Sequence, residues 1–285
     1  GKTWVKVPNT IRIEITGTPG VDGGIVDGVS AKDIILHLCS RLGVGGAEYQ
    51  VVEFVGNIIS RLSMSERMTL TNMSAELGAQ TGLIAADETT FNYIRQTGKK
   101  PEHPVRVDNI SALQSDDDAY FLATHKVNVA ELVPYVAMPD SPDNAVTIEK
   151  VSGVQIQQAY IGACTGAKLE DLQMAARVLK NNTVAKGIRL LIAPASIQTT
   201  AAAAADGTLK ILTESGAILM PSGCGACAGY GAGILAEGEV CISSTARNFK
   251  GRMGHPTSKI YLGSPYTVAA SAIVGRIADP RDFLN

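Results

Sequence analysis

The sequence predicts an α/β fold with largely parallel sheets, and three observations predict it. Short apolar runs alternate with helical patterns along all 285 residues. Aromatics are only 5% of a chain that is 45% apolar, and a core built on Ala, Val, Ile and Leu suits strands buried on both faces. The residues with chemistry to offer fall just after predicted strands, where open parallel sheets bind ligands.

Residues 11–15 read as a strand, and the spacing predicts an amphipathic helix over 30–42. Ser30 and Asp33 supply its capping box and Gly43 its stop. A strand at 51–55 precedes a helix over 65–77 ended by Gly78, then a helix over 87–96. Beyond Thr97 the composition turns polar, with Gly98-Lys99-Lys100-Pro101, Pro104 and the run Asp116-Asp117-Asp118. This stretch predicts a linker and two α/β domains, 1–114 and 115–285. The opening Gly1-Lys2-Thr3-Trp4-Val5-Lys6-Val7 reads as strand with no leading Met. The expectation is a remnant of a preceding domain and an upstream portion removed.

The second half repeats a βα rhythm. Strand 154–161 leads to Cys164 and a helix over 169–179. Strand 188–192 leads to helix 195–204, and strand 217–220 to a loop with Cys224 and Cys227. Strand 239–243 leads to Arg247, and strand 259–262 to a helix opened by Ser264-Pro265. The cysteines and Arg247 are therefore expected to converge on one sheet edge.

A net charge of −2 offers no general attraction for nucleic acid. No apolar run reaches the roughly 18 residues of a membrane span, and no signal peptide opens the chain. Five cysteines, an odd number in a chain this long, argue against a disulfide framework and for a reducing cytoplasm.

Cys39 and Cys241 fit small core residues, one on an apolar helix face and one inside a strand. Cys224 and Cys227 do not, because five glycines lie between positions 223 and 233. With Cys164 they make three thiolates, one fewer than structural zinc or electron-transfer clusters normally use, which leaves a coordination position open. Zinc with His255 as fourth ligand and a redox C-x2-C pair are the competing readings. Arg247-Asn248-Phe249-Lys250-Gly251-Arg252 is either a solvated loop or a carboxylate or phosphate clamp. Asn72 and Glu76 share a helix face, as a surface pair or as groups aimed into a site. Gly229-Tyr230-Gly231-Ala232-Gly233 lacks the context of a nucleotide loop. His37, His103 and His125 pair with no nucleophile.

Together these segments resemble the aconitase superfamily, most closely the large subunits of 3-isopropylmalate dehydratase and homoaconitase. The similarity runs end to end. It is carried by Ile161-Gly162-Ala163-Cys164-Thr165-Gly166, by Gly223-Cys224-Gly225-Ala226-Cys227, by the segment from Ser244 to Arg252, and by the helix from Leu62 to Glu76. The resemblance implies two aconitase-type three-layer α/β/α domains and a [4Fe–4S] cluster on Cys164, Cys224 and Cys227. It implies that Arg247 and Arg252 hold substrate carboxylates and that Asn72 and Glu76 surround the substrate hydroxyl and bound water. The implied reaction is the non-redox isomerisation of 2- and 3-isopropylmalate in leucine biosynthesis, with homoaconitase or another substituted-malate dehydratase as alternative. The implied partner is a small subunit with the swivelling domain and the catalytic serine base, in a heterodimer or heterotetramer. No nucleic acid or membrane partner is expected. Gly166 and Ala246 depart from the asparagines common in the family, and an upstream histidine-bearing segment has no counterpart here. The expected consequence is little or no activity for this chain alone. An apo-form RNA-binding regulator and a structural zinc module are the readings from other classes.

Overall fold

The strand signals resolve into two sheets in the computed structural model, which describes residues 4, 6–17, 25–97 and 114–284. The first sheet is all parallel, in the order β3-β2-β1-β4. Its strands are β1 (Thr10–Thr16), β2 (Val51–Val55), β3 (Thr81–Leu83) and β4 (Ala123–Asn128). The second has the order β6-β5-β11-β10-β7-β8-β9. Its strands are β5 (Tyr135–Ala137), β6 (Ala145–Thr147), β7 (Gln158–Gly162), β8 (Arg189–Ala193), β9 (Ile218–Leu219), β10 (Val240–Ser243) and β11 (Lys259–Leu262). Only β5 and β6 run antiparallel to their neighbours.

The first sheet takes in β4, so the change of sheet comes between Asn128 and Tyr135, later than residue 114. Of the polar stretch, Gly98, Lys99, Lys100, Pro101, His103 and Pro104 lie outside the described residues, as do Gly1, Lys2, Thr3 and Val5 of the opening.

Local chemistry accounts for the helices. In α1 (Ala31–Leu42) the Ser30 hydroxyl accepts from Lys32 N, the Asp33 carboxylate accepts from Ser30 N, and Gly43 closes the helix. Ser63 caps α2 (Met64–Met73), which tightens into a 3₁₀ turn over Ser74–Leu77 and stops at left-handed Gly78. Asp87 accepts from Thr90 N at the start of α3 (Glu88–Thr97). In the second half α4 (Leu169–Leu179), α5 (Ile197–Ala205), α6 (Thr208–Glu214) and α7 (Pro265–Val274) follow β7, β8 and β11.

One core unites the two sheets. Ile11, Ile13 and Ile15 of β1 share it with Ile34, Ile35 and Leu38 of α1 and with Tyr160, Leu191, Cys241 and Leu262 of the second sheet. The opposite face of the second sheet, Ala159, Ile161, Leu190, Ile192 and Ile242, packs on α4 and α7. This alternation is the signature of a strand buried on both faces. The Asp33 carboxylate also accepts from Tyr135 N at 2.9 Å, which pins α1 to the start of β5. Burial pushes that carboxyl up to about 6 despite these donors. Among the described residues no helix is long and apolar enough to cross a membrane.

Candidate functional site

The chain leaves β7 toward β8 on one side, while β10 lies on the other. The carboxyl ends of β7 and β10 therefore flank a point where the winding reverses, the usual place for a ligand crevice. Cys164 follows β7 and Arg247 follows β10.

The turn after β7 is sharp. Ala163 adopts left-handed φ of 65°, unusual for a residue with a side chain, and Cys164 emerges exposed. Two contacts stitch this turn to the loop after β10: Ser244 Oγ accepts from Gly162 N at 3.1 Å and donates to Gly166 O at 2.9 Å. A Cβ at Gly166 would fall 2.2 Å from Ser244 Oγ. The two loops thus approach too closely here for any side chain.

The other two cysteines lie beyond β9 in a segment that turns as a 3₁₀ helix over Gly225–Ala228. Gly223, Gly225 and Gly229 all have positive φ there, so the run of glycines is a conformational requirement. Cys224 is exposed, and its carbonyl accepts from Tyr160 Oη at 3.4 Å. Cys227 is buried, and Arg252 Nε donates to its carbonyl at 2.8 Å. Burial pushes the Cys227 thiol up, the Arg252 cation pulls it down, and proximity to Cys224 and Cys164 pushes it up further. The three predicted thiols are thus electrostatic neighbours. Among the described residues no three His, Cys, Asp or Glu side chains close around one ion. His255 faces Thr257, whose Oγ1 lies 2.8 Å from Nδ1.

The first sheet contributes the end of α2. Asn72 Nδ2 lies 3.5 Å from Cys164 Sγ. Glu76, 5% exposed, accepts from Arg247 Nε at 2.7 Å. These contacts cross between the two halves of the chain, so the pair is no mere surface i,i+4 couple. Glu76 first, then the Cys227 and Cys164 thiols, raise the affinity of Arg247 for its proton. The Arg247 side chain stays 42% exposed, and its bond to Glu76 runs through Nε. A cavity of about 370 Å³ opens beside Cys164, Asn72, Met68 and Gly82. Lys250 is exposed on the far part of the loop.

Cys164, Cys224, Cys227, Asn72, Glu76, Arg247 and Arg252 are thus brought to one edge. Three soft sulfur donors on glycine-rich turns, two of them exposed and two guanidinium groups near by, fit a group held by thiolates. Two residues of this edge were missed by sequence reasoning. Lys168 Nζ reaches Thr69 Oγ1 at 2.9 Å and the Cys164 carbonyl at 3.3 Å. Lys32 Nζ reaches two carbonyls of the loop after β10. The one available hint was a lysine in the first turn of a helix, where the macrodipole disfavours a cation.

Comparison with known proteins bears on the same residues. The sequence matches the Aconitase family (aconitate hydratase) over residues 1–154 and 149–275. It is 43% identical over 284 residues to the 3-isopropylmalate dehydratase large subunit 1 of Methanopyrus kandleri, covering 100% of this chain and 65% of that protein. It is 40% identical over 283 residues to the methanogen homoaconitase large subunit of Methanocaldococcus jannaschii, covering 99% and 66%. A probable methanogen homoaconitase large subunit of Methanosarcina mazei is 44% identical over 281 residues, covering 99% and 68%. The chain spans 65% of the length of the first of these relatives.

Proposed function

The chain belongs to the aconitase family, and from that premise we propose that it carries the cluster-binding edge of a hydro-lyase large subunit. The substrate is a substituted malate, with 2- and 3-isopropylmalate as the first choice. Relatives that match nearly this chain's whole length are named 3-isopropylmalate dehydratase large subunits, which supports the first choice, and homoaconitase large subunits, which keeps a chain-extended malate as the alternative. The observation that carries the proposal is the convergence of Asn72 on Cys164 and of Glu76 on Arg247 across the two sheets.

In this reading Cys164, Cys224 and Cys227 hold a [4Fe–4S] cluster. Held by only three protein thiolates, such a cluster would supply Lewis-acid chemistry for loss and return of the substrate hydroxyl. The remaining work belongs to the chain. Glu76 engages Arg247 through Nε, which fixes the plane of the guanidinium and leaves its outer N–H groups to grip a carboxylate in bidentate fashion. Arg252, anchored by Nε on the Cys227 carbonyl, adds a second cation next to the thiolates. Both guanidiniums offset negative charge that builds on the substrate as a proton leaves carbon. Asn72 keeps an amide beside Cys164, where it orients an incoming hydroxyl or water. The proton acceptor is assigned to a partner subunit, and the phrase "large subunit" in the relatives' names supports such a partner. A biosynthetic role of this kind supports a cytoplasmic location.

Anaerobic incubation with iron and sulfide tests the first step. The expected product has about four irons per chain and broad visible absorption from thiolate-to-iron charge transfer. Iron-free, colourless protein after that treatment overturns the cluster assignment. Combination with a small subunit from a cognate source should then give interconversion of the two isopropylmalates. Turnover of homocitrate-type substrates alone would move the assignment to homoaconitase.

A further inference from the structure

Lys32 is a buried cation at the first turn of α1, 2% exposed. Two physical costs attach to it there. Burial is the leading reason its ammonium falls to about 8, with Lys168 as the next. The positive end of the helix dipole also opposes a cation in the first turn. An apolar side chain of the same length would avoid both, so the contacts made by the ammonium carry the explanation.

Those contacts lie more than two hundred residues away. Lys32 Nζ donates to Ser244 O at 2.9 Å and to Thr245 O at 2.6 Å. Both residues are fully buried and sit at the carboxyl end of β10, directly before Ala246 and Arg247. Two successive carbonyls aimed at one point demand that the backbone depart from strand geometry there. The hydroxyls complete the knot: Ser243 Oγ donates to Thr245 Oγ1 at 2.9 Å, and Ser244 Oγ joins Gly162 and Gly166 of the cysteine turn. Lys32 therefore stands on a helix that shares its core with β1 and packs on α2, β5 and β6, and it grips the loop after β10.

We propose that Lys32 is a positioning residue, whose bonds to the Ser244 and Thr245 carbonyls fix the loop after β10 so that Arg247 reaches Glu76. Without the ammonium, the Thr245 carbonyl loses its partner and Ser244 O keeps a 3.4 Å bond from Thr165 Oγ1, so the buried loop must shift to satisfy them. Arg247 is two residues further on and has one anchoring bond, so a small loop shift separates its Nε from Glu76. The carboxylate-binding task of Arg247 rests on the function proposed above; its placement by Lys32 does not.

The test uses the intact chain labelled with nitrogen-15 in its arginines and backbone. Hydrogen exchange of the Arg247 Nε–H is followed in wild type and in Lys32→Met. The expected result is exchange faster by on the order of tenfold at Arg247, with the amides of Ile13 and Ile192 unchanged. Lys32→Gln, which keeps an uncharged N–H donor group, should fall between the two and decides the matter if Lys32→Met does not fold. Unchanged exchange at Arg247 in a folded variant overturns the proposal. So does equal acceleration at Ile13, Ile192 and Arg247, which marks general destabilisation. A second arm measures the assembled enzyme, where Lys32→Gln should raise the KM for the dicarboxylate more than it lowers kcat. If the wild-type assembly shows no turnover, the functional reading fails while the exchange result still decides the role of Lys32.

Discussion

Cys39 and Cys241 differ from Cys164, Cys224 and Cys227 only in where the backbone leaves them. The first two sit inside regular elements, on the inner face of α1 and in the middle of β10, with no exposed surface. Burial pushes both thiols up to about 12, so they behave as small apolar residues. The other three lie past the ends of strands, where left-handed turns at Ala163, Gly225 and Gly229 bend the chain away from the sheet. Cys227 is the intermediate case, buried yet facing the Arg252 cation. A thiol within an element meets a closed neighbourhood; a thiol one turn later meets a crevice, basic groups and its fellow thiols.

The sharpest way to break this comparison is to exchange the two groups in a reconstitution experiment. Cys227→Ser should abolish the visible charge-transfer band and the bound iron, whereas Cys241→Ala and Cys39→Ala should retain both. Loss of iron from a folded Cys241→Ala chain would show that the division is false. Next in size is thiol labelling of the apo chain at pH 8. Cys164 and Cys224 should react first and Cys227 after them. Cys39 and Cys241 should react only on unfolding, since thiols raised to about 12 expose about a thousandfold less thiolate than ordinary ones, apart from lack of access. Rapid native labelling of Cys241 would contradict the burial argument.

The same contrast extends to the basic groups at the crevice. Glu76→Gln removes the charge that orients Arg247 and leaves its shape. Affinity of the reconstituted protein for a substituted malate should drop by about tenfold, the scale of one charge-assisted hydrogen bond. Arg247→Lys should cost at least as much, because an ammonium cannot replace the planar fork. Calorimetric titration measures both, and an undiminished affinity in Arg247→Lys removes Arg247 from the site.

What the sequence revealed divides along similar lines. Features with local causes were legible: the Ser30–Asp33 capping box of α1, the Gly43 and Gly78 stops, and the Ser264-Pro265 start of α7. The cysteine turns were legible because glycine at close spacing is itself a backbone instruction. β4 was not, because Ala-Thr-His-Lys-Val-Asn shows no apolar run and pairs only at the edge of its sheet. β5, β6 and α6 were too short to declare a period. At the site, spacing put Asn72 and Glu76 on one helix face and the family resemblance gave them a role, though the helix tightens to 3₁₀ between them. Lys32 and Lys168 were invisible because their meaning lies in carbonyls and hydroxyls that only the tertiary fold brings near.

The smallest expected effect sharpens the comparison most, because it separates packing from chemistry. Replacing a fully buried cysteine with alanine deletes a sulfur from a close-packed interior and leaves a void that neighbours fill only in part. Cys39 packs within the core shared by both sheets, and Cys241 lies in β10 between two hydrogen-bonded strands. Each alanine variant should therefore lose about 1–2 kcal/mol in urea unfolding. Cys164→Ala and Cys224→Ala remove sulfurs that face solvent and should stay within about 0.5 kcal/mol of wild type in the apo chain. The order of effects thus inverts between assays: Cys39 and Cys241 matter for apo stability and not for iron, Cys164 and Cys224 for iron and not for apo stability. A core variant as stable as wild type, or a crevice variant that loses as much as a core one, would erase the distinction that the backbone turns after β7 and β9 create.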